Sequence, residues 1–265
     1  MKRELIGGGS DSAVRYFSSL VFPPSIFPRV PLAVPYWTGA TYRAILKAVV
    51  SNAIIDGAEL SALRSLLISQ FGVADGMLCG SGSLALELAL GACGVRQGDE
   101  VVIPTFCCSA VVAPIVAVGA IPVLADIGNE LNLTPETVSP VLTRNTKAIV
   151  VPHLFGNPAE IPAIVDLVRD KNIRVIDDAA QAFGATIDGR RVGTFGDAGI
   201  ISFGAEKVCF GLGGGALLSK RGDILSDAAR FNLIAPRLAS TLRTFLSTLV
   251  LHRWRRWTRT CAEST

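Results

Sequence analysis

Lys207 closes an apolar, glycine-flanked stretch, Ile200-Ile201-Ser202-Phe203-Gly204-Ala205-Glu206-Lys207, and Gly211-Leu212-Gly213-Gly214-Gly215 follows it. Desolvation in such a setting lowers a lysine's pKa and makes its amine a usable nucleophile toward a carbonyl, as in Schiff-base formation. The plainer account is a surface lysine on a loop beside Glu206. A second segment, Ile176-Asp177-Asp178-Ala179-Ala180-Gln181, ends an apolar run with two carboxylates, where ligands of open α/β sheets bind. Adjacent strand residues point to opposite faces, so these acids do not read as a hydrolytic acid/base couple; one can work while an acid after a strand can also cap the next helix. A third segment, Gly80-Ser81-Gly82-Ser83-Leu84-Ala85, follows one apolar run and opens another. Backbone N–H groups and two hydroxyls at a helix N-terminus there would cradle a phosphate. The same segment fits the looser dinucleotide fingerprint G-x-G-x-x-A, with Asp99 or Glu100 near the ribose-reading distance, or a glycine turn that is simply tight packing.

The elements that must position these groups follow from periodicity. Short apolar runs predict strands at Met77–Cys79, Val101–Ile103, Pro122–Leu124, Ala148–Val151, Arg174–Ile176, Gly199–Ser202 and Gly215–Leu218. Helical spacing predicts helices at Ser83–Cys93, Ser109–Val118, Ala159–Asp170 and Ile224–Phe231, with further helical pattern near Thr41 and from Glu59 to Gln70. The alternation predicts an α/β fold: a mostly parallel sheet with right-handed crossovers and helices on both faces. Val101 to Ala125 carries no charge and is long enough for a membrane span, but Pro104, Pro114 and Pro122 break it into a buried βαβ unit. Leu238 to Leu251 is interrupted by Arg243 and reads as an amphipathic helix.

In order, Ser81-Gly82-Ser83, Pro104-Thr105-Phe106, Asp126-Ile127, Val151-Pro152-His153-Leu154-Phe155-Gly156, Asp178-Ala179-Ala180-Gln181, Phe195-Gly196-Asp197, Ser202-Phe203, Lys207 and the glycine-rich run resemble the DegT/DnrJ/EryC1/StrS family of sugar aminotransferases. The resemblance implies a type I aminotransferase-like large domain, pyridoxal 5'-phosphate as cofactor, and transfer of an amino group from an amino acid donor to a nucleotide-linked keto-sugar. It implies that Lys207 carries the cofactor as a Schiff base and shuttles the proton. Asp178 would pair with the pyridine nitrogen and Gln181 would lie near the 3′-oxygen, while Ser202, Gly82 and Ser83 would hold the phosphate. Lysine at 207, where the family's dehydratase branch has histidine, implies amino transfer. Nucleotide-sugar and amino acid substrates, a homodimer and a cytoplasmic location follow on the same ground. Cys108 stands where the family usually has an aromatic that stacks on the cofactor ring, so either Phe106 substitutes or stacking is lost. Gly204-Ala205-Glu206 replaces the common Tyr-Pro-Thr.

Two rival readings remain at this point. One is a shortened, non-catalytic relative or gene fragment that binds cofactor or a partner; the other is a nicotinamide-dependent Rossmann enzyme using Gly80 to Ala85. His153 reads as a buried, hydrogen-bonded core histidine, and a nucleophilic pair of Cys107 or Cys108 with His153 has no motif behind it.

Composition bounds the rest. The 265 residues are 50% hydrophobic and 18% charged, with mean hydropathy +0.46, which fits a heavily buried fold and excludes intrinsic disorder. Six cysteines contain no C-x-x-C pair and the chain has two histidines, so the thiols read as reduced and mostly buried, with no metal site. Met1-Lys2-Arg3 leads into no compact apolar segment, and no secretion signal is expected. Five prolines between Pro23 and Pro35 mark residues 1–40 as an arm. The resemblance implies that residues 41–222 are the cofactor-binding large domain and that a basic helical tail, residues 223–265, stands in place of the small domain. From Arg230 onward seven arginines face a single acid, Glu263. His252-Arg253-Trp254-Arg255-Arg256-Trp257 suits weak contact with an anionic membrane surface, and a solvated helix end is the simpler reading. The net charge of +3 gives no argument for nucleic acid.

Overall fold

A computed structural model describes residues 58–211 and 213–234, with the helical positions Tyr42, Arg43 and Leu46. The expected arm, residues 1–40, and the tail beyond Ile234 lie outside the described residues. Seven strands form one sheet: β1 (Asp75–Cys79), β2 (Glu100–Pro104), β3 (Ile121–Ala125), β4 (Thr146–Pro152), β5 (Arg174–Asp178), β8 (Ala198–Ser202) and β9 (Gly215–Ser219). Their order is β1-β9-β8-β5-β4-β2-β3. The pairs β8–β5, β5–β4, β4–β2 and β2–β3 are parallel, whereas β9 is antiparallel to both β1 and β8. The chain from β8 to β9, residues 203–214, forms no helix among its described residues and returns as a long hairpin loop, which makes the pair antiparallel. That loop carries Lys207.

The apolar runs are strands because both of their faces are covered. On one face Val101, Ile103, Ala148, Val150, Ile176, Ala198, Ile200 and Leu217 pack with α2 (Gly82–Ala92), α3 (Ser109–Ala117) and α6 (Gly222–Ile234). Their neighbours in sequence face the other way. Val102, Ile149, Val151 and Val175 meet α4 (Pro135–Val138) and α5 (Ile161–Leu167), while Ile201, Ala216 and Leu218 meet α1 (Ala58–Phe71). Strict alternation across two covered faces gives near-continuous hydrophobic runs.

Val101 to Ala125 forms β2, α3 and β3, as its prolines imply, and among the described residues no helix is long and apolar enough to cross a membrane. The helix that opens the expected tail, α6, packs against α2 and buries Ile224, Leu225 and Ala228 in the core. A two-stranded hairpin, β6 (Thr186–Ile187) with β7 (Arg190–Arg191), was not anticipated. Its turn is Asp188-Gly189, with φ of +50° and +76°, the backbone signature of a tight Asp-Gly hairpin.

The nicotinamide reading fails on topology. A dinucleotide fold expects an all-parallel order with the ribose-binding acid beyond the end of the second strand. Here β9 is antiparallel, and Asp99 and Glu100 lie at the start of β2, the opposite end of the sheet from the glycine turn.

Candidate cofactor-binding active site

The site lies at the carboxyl ends of the parallel strands. Gly82, Ser83, Asp178, Gln181, Ser202 and Lys207 all line one cleft, which encloses about 490 Å³ counting its open mouth. Leu86, Cys108, Ala110, Val111, Pro152, His153, Ala180 and Ile200 complete its wall.

The anion end is built by α2. Ser81, in extended conformation, caps the helix by accepting a hydrogen bond from the Leu84 N–H at 3.0 Å. The following residues, Gly82 and Ser83, present the first amides of the helix, which have no acceptor within it. Nearly every residue from Leu84 to Leu90 is apolar and buried or half-buried, so the helix is fixed in the core and its N-terminus is held at the cleft. Ser202 closes the other side: a Cβ on Gly82 would come within 2.9 Å of the Ser202 Cβ. The glycine run packs directly against this turn. Gly214 N–H donates to the Gly80 carbonyl at 3.0 Å, and a Cβ on Gly215 would lie 2.6 Å from the Gly82 nitrogen. What approaches the glycines is the backbone of the phosphate-type turn itself.

The two adjacent acids have separated tasks. Asp177 is fully buried, with Oδ1 2.7 Å from His153 Nε2 and Oδ2 accepting the Phe195 N–H at 2.8 Å. Asp178 is 6% exposed and lines the cleft; its Oδ1 accepts the Ala180 N–H at 3.0 Å, and among the described residues no donor reaches Oδ2. Burial pushes the Asp178 carboxyl up, an effect opposed by the Ala180 N–H, His153 and Lys207 and reinforced by Asp177. A carboxylate with one oxygen unpartnered in a cleft matches a cationic N–H donor.

Lys207 is neither a bare surface lysine nor an isolated one. Its side chain is 15% exposed, it lines the cleft, and its Nζ lies 3.3 Å from Glu206 Oε1. The Glu206 carboxyl is held below its usual range, first by its own backbone N–H and then by Lys207. Gln181 has its amide sense set by the Phe155 N–H, which donates to Oε1 at 3.3 Å and leaves Nε2 as a donor.

His153 is fully buried, as its core reading expects, and also forms part of the cleft wall. Its Nδ1 accepts the Ala159 N–H at 2.9 Å, so its proton sits on Nε2, directed at Asp177. With both nitrogens engaged it has none for a thiol, which removes the Cys–His nucleophilic pair; burial also pushes the Cys107 thiol up. Phe106 is not among the residues that line the cleft. It is 48% exposed and meets Phe155, 73% exposed, with ring centroids 6.2 Å apart, whereas Cys108 is the residue on the wall. The helix amides, the unpartnered Asp178 oxygen, the Gln181 amide and the Lys207 amine fit a phosphorylated pyridine aldehyde in charge and in donor set.

The sheet order and this cleft define the large domain of the type I aminotransferase fold. The solved aminotransferase of Psychrobacter cryohalolentis superimposes with a TM-score of 0.78 at 27% identity, over 86% of this chain and 64% of that one. The sequence profile of the DegT/DnrJ/EryC1/StrS aminotransferase family matches residues 38–243, and the chain belongs to that family. It is 40% identical over 173 residues to UDP-N-acetyl-3-dehydro-alpha-D-glucosamine 3-aminotransferase of Acidithiobacillus ferrooxidans, covering 65% of this chain and 47% of the relative. It is 39% identical over 148 residues to GDP-perosamine synthase of Vibrio cholerae, covering 56% and 40%. The chain thus spans about half the length of the curated relatives it matches.

Proposed function

We propose that the protein binds pyridoxal 5'-phosphate through Lys207 and transfers an amino group from an amino acid donor to a keto-sugar carried on a nucleotide. The observation that carries this reading is the convergence of Lys207, Asp178, Gln181, Ser202, Gly82 and Ser83 on one cleft from three separate segments of chain. Bound pyridoxal phosphate supplies an electron sink and a reversible amino carrier. Asp178 would hold the proton of the ring nitrogen, and Gln181 would lie near the ring's 3′-oxygen with an amide N–H to offer. Gly82, Ser83 and Ser202 bind the phosphate at the N-terminus of α2. The Lys207 amine anchors the cofactor and, when released, moves a proton at Nζ to and from the substrate carbon. Leu86, Val111 and Ile200 keep water from the buried end of the cleft. The relatives named for UDP- and GDP-linked sugars support the nucleotide-sugar class. The same reading takes the protein as a homodimer with residues 41–222 as the large domain and 223–265 as a basic tail.

The test is the visible spectrum of the purified protein with pyridoxal phosphate, before and after borohydride, with Lys207→Ala as control. A band near the aldehyde–lysine adduct's absorption that borohydride fixes onto Lys207, and that the variant lacks, supports the reading. No band, or the same band in the variant, overturns it. Cys108 in the position of a stacking aromatic favours a second reading, a chain that holds the cofactor without turning substrate over. Glutamate added to the loaded protein separates the two, since only a transaminating chain loses the band and releases 2-oxoglutarate.

A further inference from the structure

Among the described residues, Asp177 is the one buried acid to which the cofactor roles give no task; it does not line the cleft but bonds His153, which does. It is fully buried, and a carboxylate in that position is costly unless both oxygens are satisfied. Its hydrogen bonds run in one sense. The Ala159 N–H donates to His153 Nδ1, His153 Nε2–H donates to Asp177 Oδ1, and the Phe195 N–H donates to Asp177 Oδ2. Two of these donors are backbone amides, which cannot reverse. The chain must therefore end on a group that accepts twice, and among side chains of this size only a carboxylate does so. An asparagine would turn its NH2 toward either the Nε2–H or the Phe195 N–H.

The donors belong to the loop after β4 and the loop before β8, the two strands that flank β5 in the sheet. His153 also bonds Asp178 directly through the backbone, its N–H donating to the Asp178 carbonyl at 3.2 Å. The charged and titratable groups that face the Asp178 carboxylate are Lys207, His153, Asp177 and the Cys107 thiol, with Cys108 beside it. Resting on the cofactor reading above, we infer that Asp177 is a positioning residue: as the common acceptor of His153 and Phe195 it ties both flanking loops to β5. It thereby holds Asp178, one residue on, where its free oxygen meets a protonated ring nitrogen. Asp177 also places a second negative charge behind Asp178, so the cleft selects the protonated ring over the neutral one.

The test is equilibrium titration of the full 265-residue chain with pyridoxal phosphate between pH 6 and 9, comparing wild type with Asp177→Asn. In the wild type, affinity falls on an alkaline limb as the ring proton is lost. In the variant, affinity at pH 7 falls about tenfold or more, the consequence of a misplaced Asp178 and an unsatisfied buried donor. The alkaline limb also moves to lower pH, because one negative charge near the ring nitrogen is gone. A merely structural role would weaken binding with the limb unmoved. If Asp177→Asn does not fold, His153→Gln and His153→Ala decide the matter. Glutamine keeps a donor near the Nε2 position and retains the wild-type limb, whereas alanine removes the donor and shifts it. Nitrogen-15 spectra of the two histidines, His153 and His252, supply a readout without cofactor: His153 is expected as the Nε2–H tautomer, and Asp177→Asn changes it. Superimposable limbs in wild type and Asp177→Asn, alike behaviour of the two His153 variants, or a different His153 tautomer overturns the inference and leaves the cofactor reading standing. A wild type that binds no pyridoxal phosphate overturns both.

Discussion

Gly215 and Gly82 are packed backbone to backbone: a Cβ on Gly215 would lie 2.6 Å from the Gly82 nitrogen and 2.8 Å from the Ile201 carbonyl oxygen. The glycine-rich run after Lys207 is thus the wall against which the anion-binding turn is set. Gly215→Ala forces that turn away, and overpacking of this kind costs about 1–3 kcal/mol. The expected result is a lower unfolding temperature and a weaker phosphate grip, read by calorimetry and by titration with pyridoxal phosphate against inorganic phosphate as competitor. An unchanged melting temperature would show that the turn can yield.

Asp178 gives a pH prediction with a definite sign. Burial raises its folded-state pKa above the unfolded value, so its charged form opposes folding. That destabilisation is present at pH above the folded pKa and is relieved as pH falls through it toward the unfolded value. Asp178→Asn removes the penalty and retains an acceptor for the Ala180 N–H. The cofactor-free variant is expected to melt about 2–4 °C above wild type at pH 7 and to lose that advantage in acid, while binding pyridoxal phosphate far more weakly. Equal or lower stability at neutral pH would contradict this.

The thiols should divide sharply. Burial pushes Cys93 up to about 12, and Cys79 and Cys209 are also buried, whereas Cys108 is exposed on the cleft wall. With limiting iodoacetamide at pH 8, peptide mapping should show Cys108 alkylated first among the described cysteines and Cys93 last. Pyridoxal phosphate should protect Cys108. Alkylation of Cys108 at the same rate with and without cofactor would place the cofactor elsewhere.

Phe155 holds φ at +54°, a conformation that disfavours side chains, while its N–H fixes the Gln181 amide. Phe155→Gly relieves the backbone and keeps the N–H, and because the ring is mostly exposed little packing is lost. The variant should be stabilised by about 0.5–1 kcal/mol with cofactor affinity preserved, read by thermal unfolding and titration. A loss of cofactor affinity would show that the ring itself contributes.

Much of this site is legible in local sequence because its chemistry depends on residue types at strand ends. Ser81-Gly82-Ser83 before an apolar helix, Asp178 after an apolar run and Lys207 in a glycine-flanked loop each state a local role, and each lies on the cleft. The central strands were legible because strands buried on two faces are apolar, whereas the edge strand β3 is an apolar run with Ile121 and Leu124 exposed. The Asp188-Gly189 hairpin was legible in principle, as its turn dipeptide is written in the sequence, but two-residue strands carry too short a pattern to register.

Other features depend on partners remote in sequence. The family resemblance singled out Asp178, but local spacing alone does not say which of two adjacent acids faces the cleft; His153 and Phe195, 24 residues before and 18 after Asp177, saturate that carboxylate and leave Asp178 with an open oxygen. Sequence named Phe106 as a candidate for stacking, and the fold turned its ring to Phe155 and put Cys108 on the wall instead. The antiparallel placement of β9 came from a β8–β9 connection that forms no crossover helix among its described residues. Local sequence determines what a residue can donate, accept or bury, because those capacities belong to its side chain and its neighbours on one element. Tertiary structure decides which of those capacities is already spent, because hydrogen bonds and packing are satisfied by whatever the fold brings within reach.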